Sequence, residues 1–319
     1  MAMNHPAEST DRNVVLLVGG VGGAKLAYGL AQILPSERLT IIVNTGDDFW
    51  HYGLRICPDL DTIVYTLAGI VNPVTGWGIA DDTTVTLNAL AHLGETPWFR
   101  LGDQDLATHL LRTQLWQEGY SLTQITHRIT QALGVKWIVL PMTDSPVATI
   151  VDTAEYGELN FQVYFVKHRW QPRLKSLHIE GIENAIVSAE AQQAVEQADL
   201  IIIGPSNPWL SIDPILSVPG MRSMIAAQNV PRVAVTPIVG GEAVKGPAAK
   251  IMRELGYPVA AETVARHYGE VINGFIVDQQ DGATNLPLLR TIVLDTWMDN
   301  NEKRISLARN LLNWTKDWK

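Results

Sequence analysis

The chain has 319 residues, enough for one large domain or two of ordinary size, with 46% hydrophobic and 18% charged residues. Its net charge of -9 argues against binding a nucleic-acid polymer, because that affinity is built from basic contacts to phosphate. One cysteine, Cys57, excludes an internal disulfide and a cysteine-built zinc site, and agrees with a reducing, cytoplasmic setting.

Met1 to Asn13 is polar, lacks the apolar core of a signal peptide and reads as a disordered leader over 1-13. Val14 to Val18 is a continuous aliphatic run that stops at glycines, the pattern of a buried parallel strand. It is far too short to span a membrane, so no membrane association is expected. A helix over Ala24 to Leu34 is closed by Pro35, and Thr40 to Val43 is a second buried strand ending at Asn44. This βαβ unit sets Gly19-Gly20-Val21-Gly22-Gly23 at the carboxyl end of its first strand, where open α/β sheets bind ligands.

Helices follow at Asp61 to Ala68, Asp82 to Leu93, Asp105 to Glu118 and Ser121 to Leu133. Each opens on an Asp or Ser suited to an N-cap and stops at a glycine, namely Gly69, Gly94, Gly119 and Gly134. Helices in succession without strands predict a helical insertion over about 59-134 on one side of the sheet. Strands resume at Trp137 to Leu140, Thr149 to Val151, Phe161 to Val166, Leu200 to Ile203 and Arg232 to Val235. Ala248 to Leu255 and Asn301 to Trp314 read as helices. No Pro/Ser/Gly linker divides residues 14-319. The expected fold is therefore one elaborated α/β domain, a Rossmann-like, mostly parallel sheet flanked by helices.

The glycine segment is neither a dinucleotide fingerprint nor a P-loop. Lys25 stands where the third glycine of the former belongs, and the spacing of the latter is missing. Flexible backbone N–H groups opening a helix still attract anions, which sets phosphate binding against a plain tight turn. Asp47, Asp48, Asp59 and Asp61 follow closely. Carboxylates gathered at one site repel unless a cation or shared proton offsets them, and with phosphate oxygens they are the usual cage for magnesium. A helix cap would explain Asp59 or Asp61 alone. Ser206, Asn207 and Pro208 end a buried strand and offer groups for a base, ribose or phosphate; Thr143 and Asp144 end another. Trp50 and Trp77, the latter just ahead of Asp81 and Asp82, are candidates for a flat heterocycle's pocket. The histidines lack ligand spacing in sequence, and only His51 stands beside the acids.

Five segments occur in order: Gly19-Gly20-Val21-Gly22-Gly23-Ala24-Lys25, Asn44-Thr45-Gly46-Asp47-Asp48-Phe49-Trp50, Cys57-Pro58-Asp59-Leu60-Asp61-Thr62, Leu101 to His109, and Gly204-Pro205-Ser206-Asn207-Pro208. Together, from about Val14 to Asp278, they resemble the 2-phospho-L-lactate transferase family of coenzyme F-420 biosynthesis. The resemblance implies transfer of a phospholactyl or enolpyruvyl-phosphate group from a guanosine-diphosphate-linked donor to the deazaflavin Fo. GMP leaves, and magnesium (Mg2+) is required. It casts Asp47, Asp48 and Asp61 as catalytic, with magnesium on Asp48 and Asp61 supported by Asp47 or Asp59. Gly20, Val21, Gly22, Gly23 and Lys25, with Ser206, Asn207 and Pro208, would hold the guanylyl half. Asn44, Trp50, Asp59, Trp77, Asp82, Thr143 and Asp144 would meet the acceptor. A homodimer is also implied. The competing reading is a non-catalytic nucleotide-sugar-binding regulator of related fold, which would not need the acids of Cys57 to Asp61. A nicotinamide oxidoreductase is disfavoured by the missing glycine and by Asn44 where an acid should end the second strand.

Overall fold

The computed structural model describes residues 11–243, 246–284 and 286–318. Seven parallel strands form the main sheet: β1 (Val14–Val18), β2 (Leu39–Val43), β3 (Ile138–Pro141), β4 (Leu200–Ile203), β5 (Arg232–Val235), β6 (Gly274–Asp278) and β7 (Arg290–Leu294). Their spatial order is β3-β2-β1-β4-β5-β6-β7. The chain thus winds outward from β1 in one direction and then, from β4, in the other. The carboxyl ends of β1 and β4 face a crevice at that reversal, the place where such sheets bind ligands.

Every residue of β1 is buried, and alternate residues serve opposite layers. Val15 and Leu17 join the core on one face, while Val14, Leu16 and Val18 join the core on the other. That is why the strand reads as an unbroken apolar run rather than an alternation. The second core includes helix α1 (Gly20–Ala31) and the C-terminal helix Asn301–Trp314, which matches its expected bounds and is capped by Asn300. No helix among the described residues is long and apolar enough to cross a membrane.

Between β2 and β3 lie the hairpin of Phe49–His51 with Leu54–Ile56 and helices α2 (Pro58–Leu67), α3 (Val85–His92), α4 (Asp103–Gln117) and α5 (Leu122–Ala132). The glycines expected to close these helices do so: Gly69, Gly94, Gly119 and Gly134 all have φ between +71° and +95°. The acids expected to open them behave otherwise. Asp61 lies within α2 and Asp105 within α4, both buried. Only Ser121 caps as expected, in a reciprocal box with Gln124.

Three further expectations are corrected. The glycine segment is not a loop preceding a helix, because α1 already begins at Gly20. Phe161 to Val166 is not a strand: Val163–Lys167 forms a wide helical turn with Tyr164 buried in it and Phe161 buried just ahead of it. The apolar alternation there is satisfied by helical spacing instead, with Phe161 stacked on Phe165. Of the leader expected over 1–13, residues 1–10 lie outside the described residues. Asn13, however, accepts from the backbone of Asp199, and Arg12 donates to Leu312 and Thr315 of the C-terminal segment.

Candidate functional site

A cavity of about 770 Å³ opens at the β1/β4 crevice. Its floor is the start of α1. Gly20, Val21, Gly22 and Lys25 line it, with Ser206 and Asn207 from the end of β4. The two strand ends are tied together by one hydroxyl: Ser206 Oγ accepts from Gly19 N–H at 3.1 Å and donates to Gly19 O at 2.8 Å. The glycines are set by proximity as much as by φ. A Cβ on Gly22 would stand 2.5 Å from the Pro205 carbonyl oxygen, and one on Gly19 would overlap the Asp59 carboxylate. Gly23 packs behind the floor against Val18 and Ser206. Pro208 is buried outside the lining, and Asn207 Oδ1 accepts from the N–H groups of Trp209 and Leu210, fixing the turn.

Asp47, Asp59 and Asp61 line the cavity; Asp48 does not. Asn44 is fully buried and positions the group: its Nδ2 donates to Asp59 at 2.9 Å, while its Oδ1 accepts from Gly46. Burial, then repulsion from Asp59 and Asp48, pushes the Asp47 carboxyl well above the usual range. Burial likewise lifts Asp59 to about 6, against hydrogen bonds from Asn44 and Gly20. Asp47 Oδ1 is buried without a hydrogen-bond partner. This is a site arranged to receive positive charge.

Asp48 and Asp61, the expected metal pair, each face an arginine instead. Asp48 contacts Arg55 at 3.3 Å, and Arg112 forks onto both oxygens of Asp61. Burial still raises Asp48 to about 6, outweighing Arg55. Arg112 Nη1 also lies 3.0 Å from His109 Nδ1, and Tyr65 donates to Asp105 at 2.7 Å. Asp61, Asp105 and His109 bring ligand atoms within 4.8 Å of one another, a spacing that could hold a metal ion. The cluster corrects the view that no histidine has ligand spacing. Its signal was the i, i+4 pair Asp105/His109 on α4, inside a segment already singled out. His51 lies instead among Phe49, Tyr52 and Trp98.

The acceptor residues expected from sequence divide sharply. Trp77 lines the cavity, as does Asp59. Trp50 is 50% exposed, away from the lining, with Arg55 over its ring. Asp82 accepts from the N–H groups of Gln104 and Asp105 and so caps α4. Thr143 donates to Ile186 O, and Asp144 accepts from Thr123 N–H at the start of α5. Rings that sequence reasoning missed take their place: Trp98 and Phe99 on one side, Phe161, Phe165 and Trp170 on another.

With this geometry in view, the comparison with known proteins is direct. The family model described as 2-phospho-L-lactate transferase CofD matches residues 14–291. The chain belongs to that family. It is 39% identical over 299 residues to the 2-phospho-L-lactate transferase of Methanosarcina mazei, covering 92% of this chain and 98% of that one. It is 43% identical over 277 residues to the phosphoenolpyruvate transferase of Streptomyces griseus, covering 84% and 86%. A member of the UPF0052 family from Bacillus halodurans shares the fold, with a TM-score of 0.61 at 16% identity over 95% of this chain and 100% of that one. Membership makes the chain a transferase of the coenzyme F-420 pathway family. Relatives named for either three-carbon group lie at similar identity, so likeness alone does not choose between them.

Proposed function

We propose that this transferase moves a phospholactyl or enolpyruvyl-phosphate group from a guanosine-diphosphate-linked donor to the primary hydroxyl of Fo, releasing GMP. One observation carries the reading. In a chain of this family, a helix N-terminus suited to phosphate and a buried carboxylate group with an orphaned oxygen face the same cavity.

The α1 amides at Gly20 to Gly22, with Lys25, hold the diphosphate, and the Ser206–Asn207 turn borders the nucleotide half. The hydroxyl oxygen of Fo bonds to the phosphorus nearer the three-carbon acid as its proton passes to a carboxylate of the site and the bond from that phosphorus to the GMP oxygen breaks. Asp61, fixed by Arg112, presents its oxygens to the incoming hydroxyl. Asp47 and Asp59 fit magnesium better than the expected pair of Asp48 and Asp61, since both line the cavity, whereas Asp48 lies outside the lining against Arg55 and Asp61 is held by Arg112. Bound there, magnesium supplies charge neutralisation to the diphosphate, as carboxylate-plus-phosphate sites do. The chain's own contribution is positioning and fixed charge.

Incubation with Fo, magnesium and either donor, followed by mass spectrometry, tests this. Phospho-Fo in saturated or dehydro form, plus GMP, is the expected outcome and names the preferred donor. Folded protein that makes neither product removes the proposal and favours a nucleotide-sugar-binding regulator.

A further inference from the structure

The segment that follows β4 meets the cavity on one side and a separate cluster of side chains on the other. Pro208–Ile212 is a wide helical turn that runs straight into the short helix Asp213–Ser217. One side of it belongs to the site. Leu210 and Ser211 line the cavity beside Ser206 and Asn207, and Leu210 O accepts from Asn44 Nδ2 at 3.4 Å. Ser211 N–H donates to Asn207 O at 2.9 Å. A Cβ on Gly19 would stand 2.7 Å from Ser211 Cβ, so the turn also presses on the residue that precedes α1. A shift of these few residues would therefore move the Asn207 turn, the Asn44 side chain and the start of α1 together.

Trp209 and Asp213, four residues apart on the same segment, lie outside the cavity lining. One side chain from another helix holds both. His267, in the last turn of the helix Ala261–Tyr268, sets its ring 4.9 Å from the Trp209 indole at 43°. Its Nε2 lies 2.9 and 2.8 Å from the two Asp213 carboxylate oxygens. That helix is a firm anchor, because Ala261, Val264, Ala265 and Tyr268 are buried in the core. Tyr257 stacks on the indole at 5.9 Å and 22°. From the helix Met221–Ala226, Arg222 Nη2 stands 3.9 Å from Asp213, while its Nη1 donates to Tyr268 O. The Tyr268 ring lies 5.9 Å from the imidazole, and burial pushes its phenol well above the ordinary value, so it stays neutral.

An imidazole that grips Trp209 and Asp213 fixes the stretch between them, which contains Leu210 and Ser211. Protonation strengthens both contacts: the hydrogen bond to Asp213 becomes charge-assisted, and a cation faces the indole. Histidine is the side chain that changes charge around neutral pH. We propose that His267 is a positioning residue for the nucleotide half, bracing the 208–213 segment from outside the cavity and most firmly as the imidazolium. This inference rests on the function proposed above, which sets the nucleotide beside Ser206 and Asn207.

Calorimetric titration with GMP, and separately with Fo, tests this on the wild type, His267→Ala and His267→Gln at pH 6 and pH 8.5. Melting curves confirm folding. Glutamine can donate to Asp213 but cannot take a charge. His267→Ala should weaken GMP about three- to tenfold at pH 6 relative to wild type at the same pH, with Fo affinity unchanged. His267→Gln should lose about two- to fivefold at pH 6 and match wild type at pH 8.5. Hydrogen exchange at the Trp209 and Leu210 amides should quicken in His267→Ala. Unchanged GMP affinity in that variant, or equal weakening of GMP and Fo, overturns the brace. The same deficit in His267→Gln at both pH values overturns the part given to the imidazolium. A wild type that makes product while both variants bind GMP normally sinks the brace alone. One that binds no GMP and makes no product sinks both this inference and the transferase reading beneath it.

Discussion

Asp47 and Asp59 concentrate the site's electrostatic conflict in two side chains. Both folded-state pKa values are raised, Asp59 from 3.8 to about 6 and Asp47 well above the usual carboxylate range, so the folded chain keeps protons that the unfolded chain releases. The stability they contribute is present below 3.8 and is lost as pH climbs through about 6. Asp47→Asn should therefore raise the melting temperature of the ligand-free protein at pH 8 and change it little at pH 4, while turnover falls at least about a hundredfold. Magnesium should stabilise the wild type more at pH 8 than at pH 5. Melting curves with and without the ion check the sign; a variant less stable than wild type at pH 8 would refute the conflict. Arg112 presents the opposite case, a buried cation already matched. Arg112→Ala leaves Asp61 buried without its partner and should cost about 3–5 kcal/mol, read by chemical denaturation.

Helices α3 and α4 cap each other, and here the limit of sequence reading has a physical cause. Asp82, just before α3, accepts from the first turn of α4, while Asp103, opening α4, accepts from Val85 and Thr86 at the start of α3. Asp82 was legible as a cap, though of its own helix, while Asp103 and the exchange between the helices were not, because they depend on tertiary packing. Gly102 belongs to the same device, since a Cβ there would overlap the Asp82 carboxylate. The local signals survived better: the glycine stops of α2 to α5, the buried run of β1, and the Ser121 capping box all follow from backbone preference or burial near in sequence. Asp47 and Ser206 were found because residues just past the ends of parallel strands report the crevice directly, and Asp59 and Asp61 because acids crowd the first turn of α2 close to Asp47 in sequence. Arg112 and the 161–170 rings were not, as a charge on a helix and an alternating apolar run each have an ordinary structural reading. Asp82→Ala should cost about 1 kcal/mol. Because α4 carries Asp105 and His109, turnover should fall as well. Hydrogen exchange should quicken at the Gln104 and Asp105 amides; unchanged exchange there would show that the cross-cap contributes nothing.

At the scale of the molecule, the phosphate floor depends on a helix packed from behind. The C-terminal helix Asn301–Trp314 crosses α1 so closely that a Cβ on Gly29 would overlap the carbonyl oxygen of Arg304, with Ala308 beside it. Backbone is the obstacle, so no side-chain rotation relieves the overlap, and the helices must separate. Gly29→Ala should therefore lose about 1–3 kcal/mol despite alanine's better helix propensity. Gly94→Ala provides the contrast: its φ of +95° is unfavourable, yet nothing lies within 4 Å of an added Cβ. The two variants separate in activity. Gly94 closes α3 outside the cavity lining, whereas α1 begins at Gly20 and supplies the amides proposed to hold the diphosphate. Gly29→Ala should raise the KM for the donor more than that for Fo, and Gly94→Ala should leave both unchanged. Steady-state kinetics on the two variants, read beside their melting temperatures, decides whether the C-terminal helix sets the position of the phosphate floor or only adds stability. Equal KM values in both would restrict it to the second role.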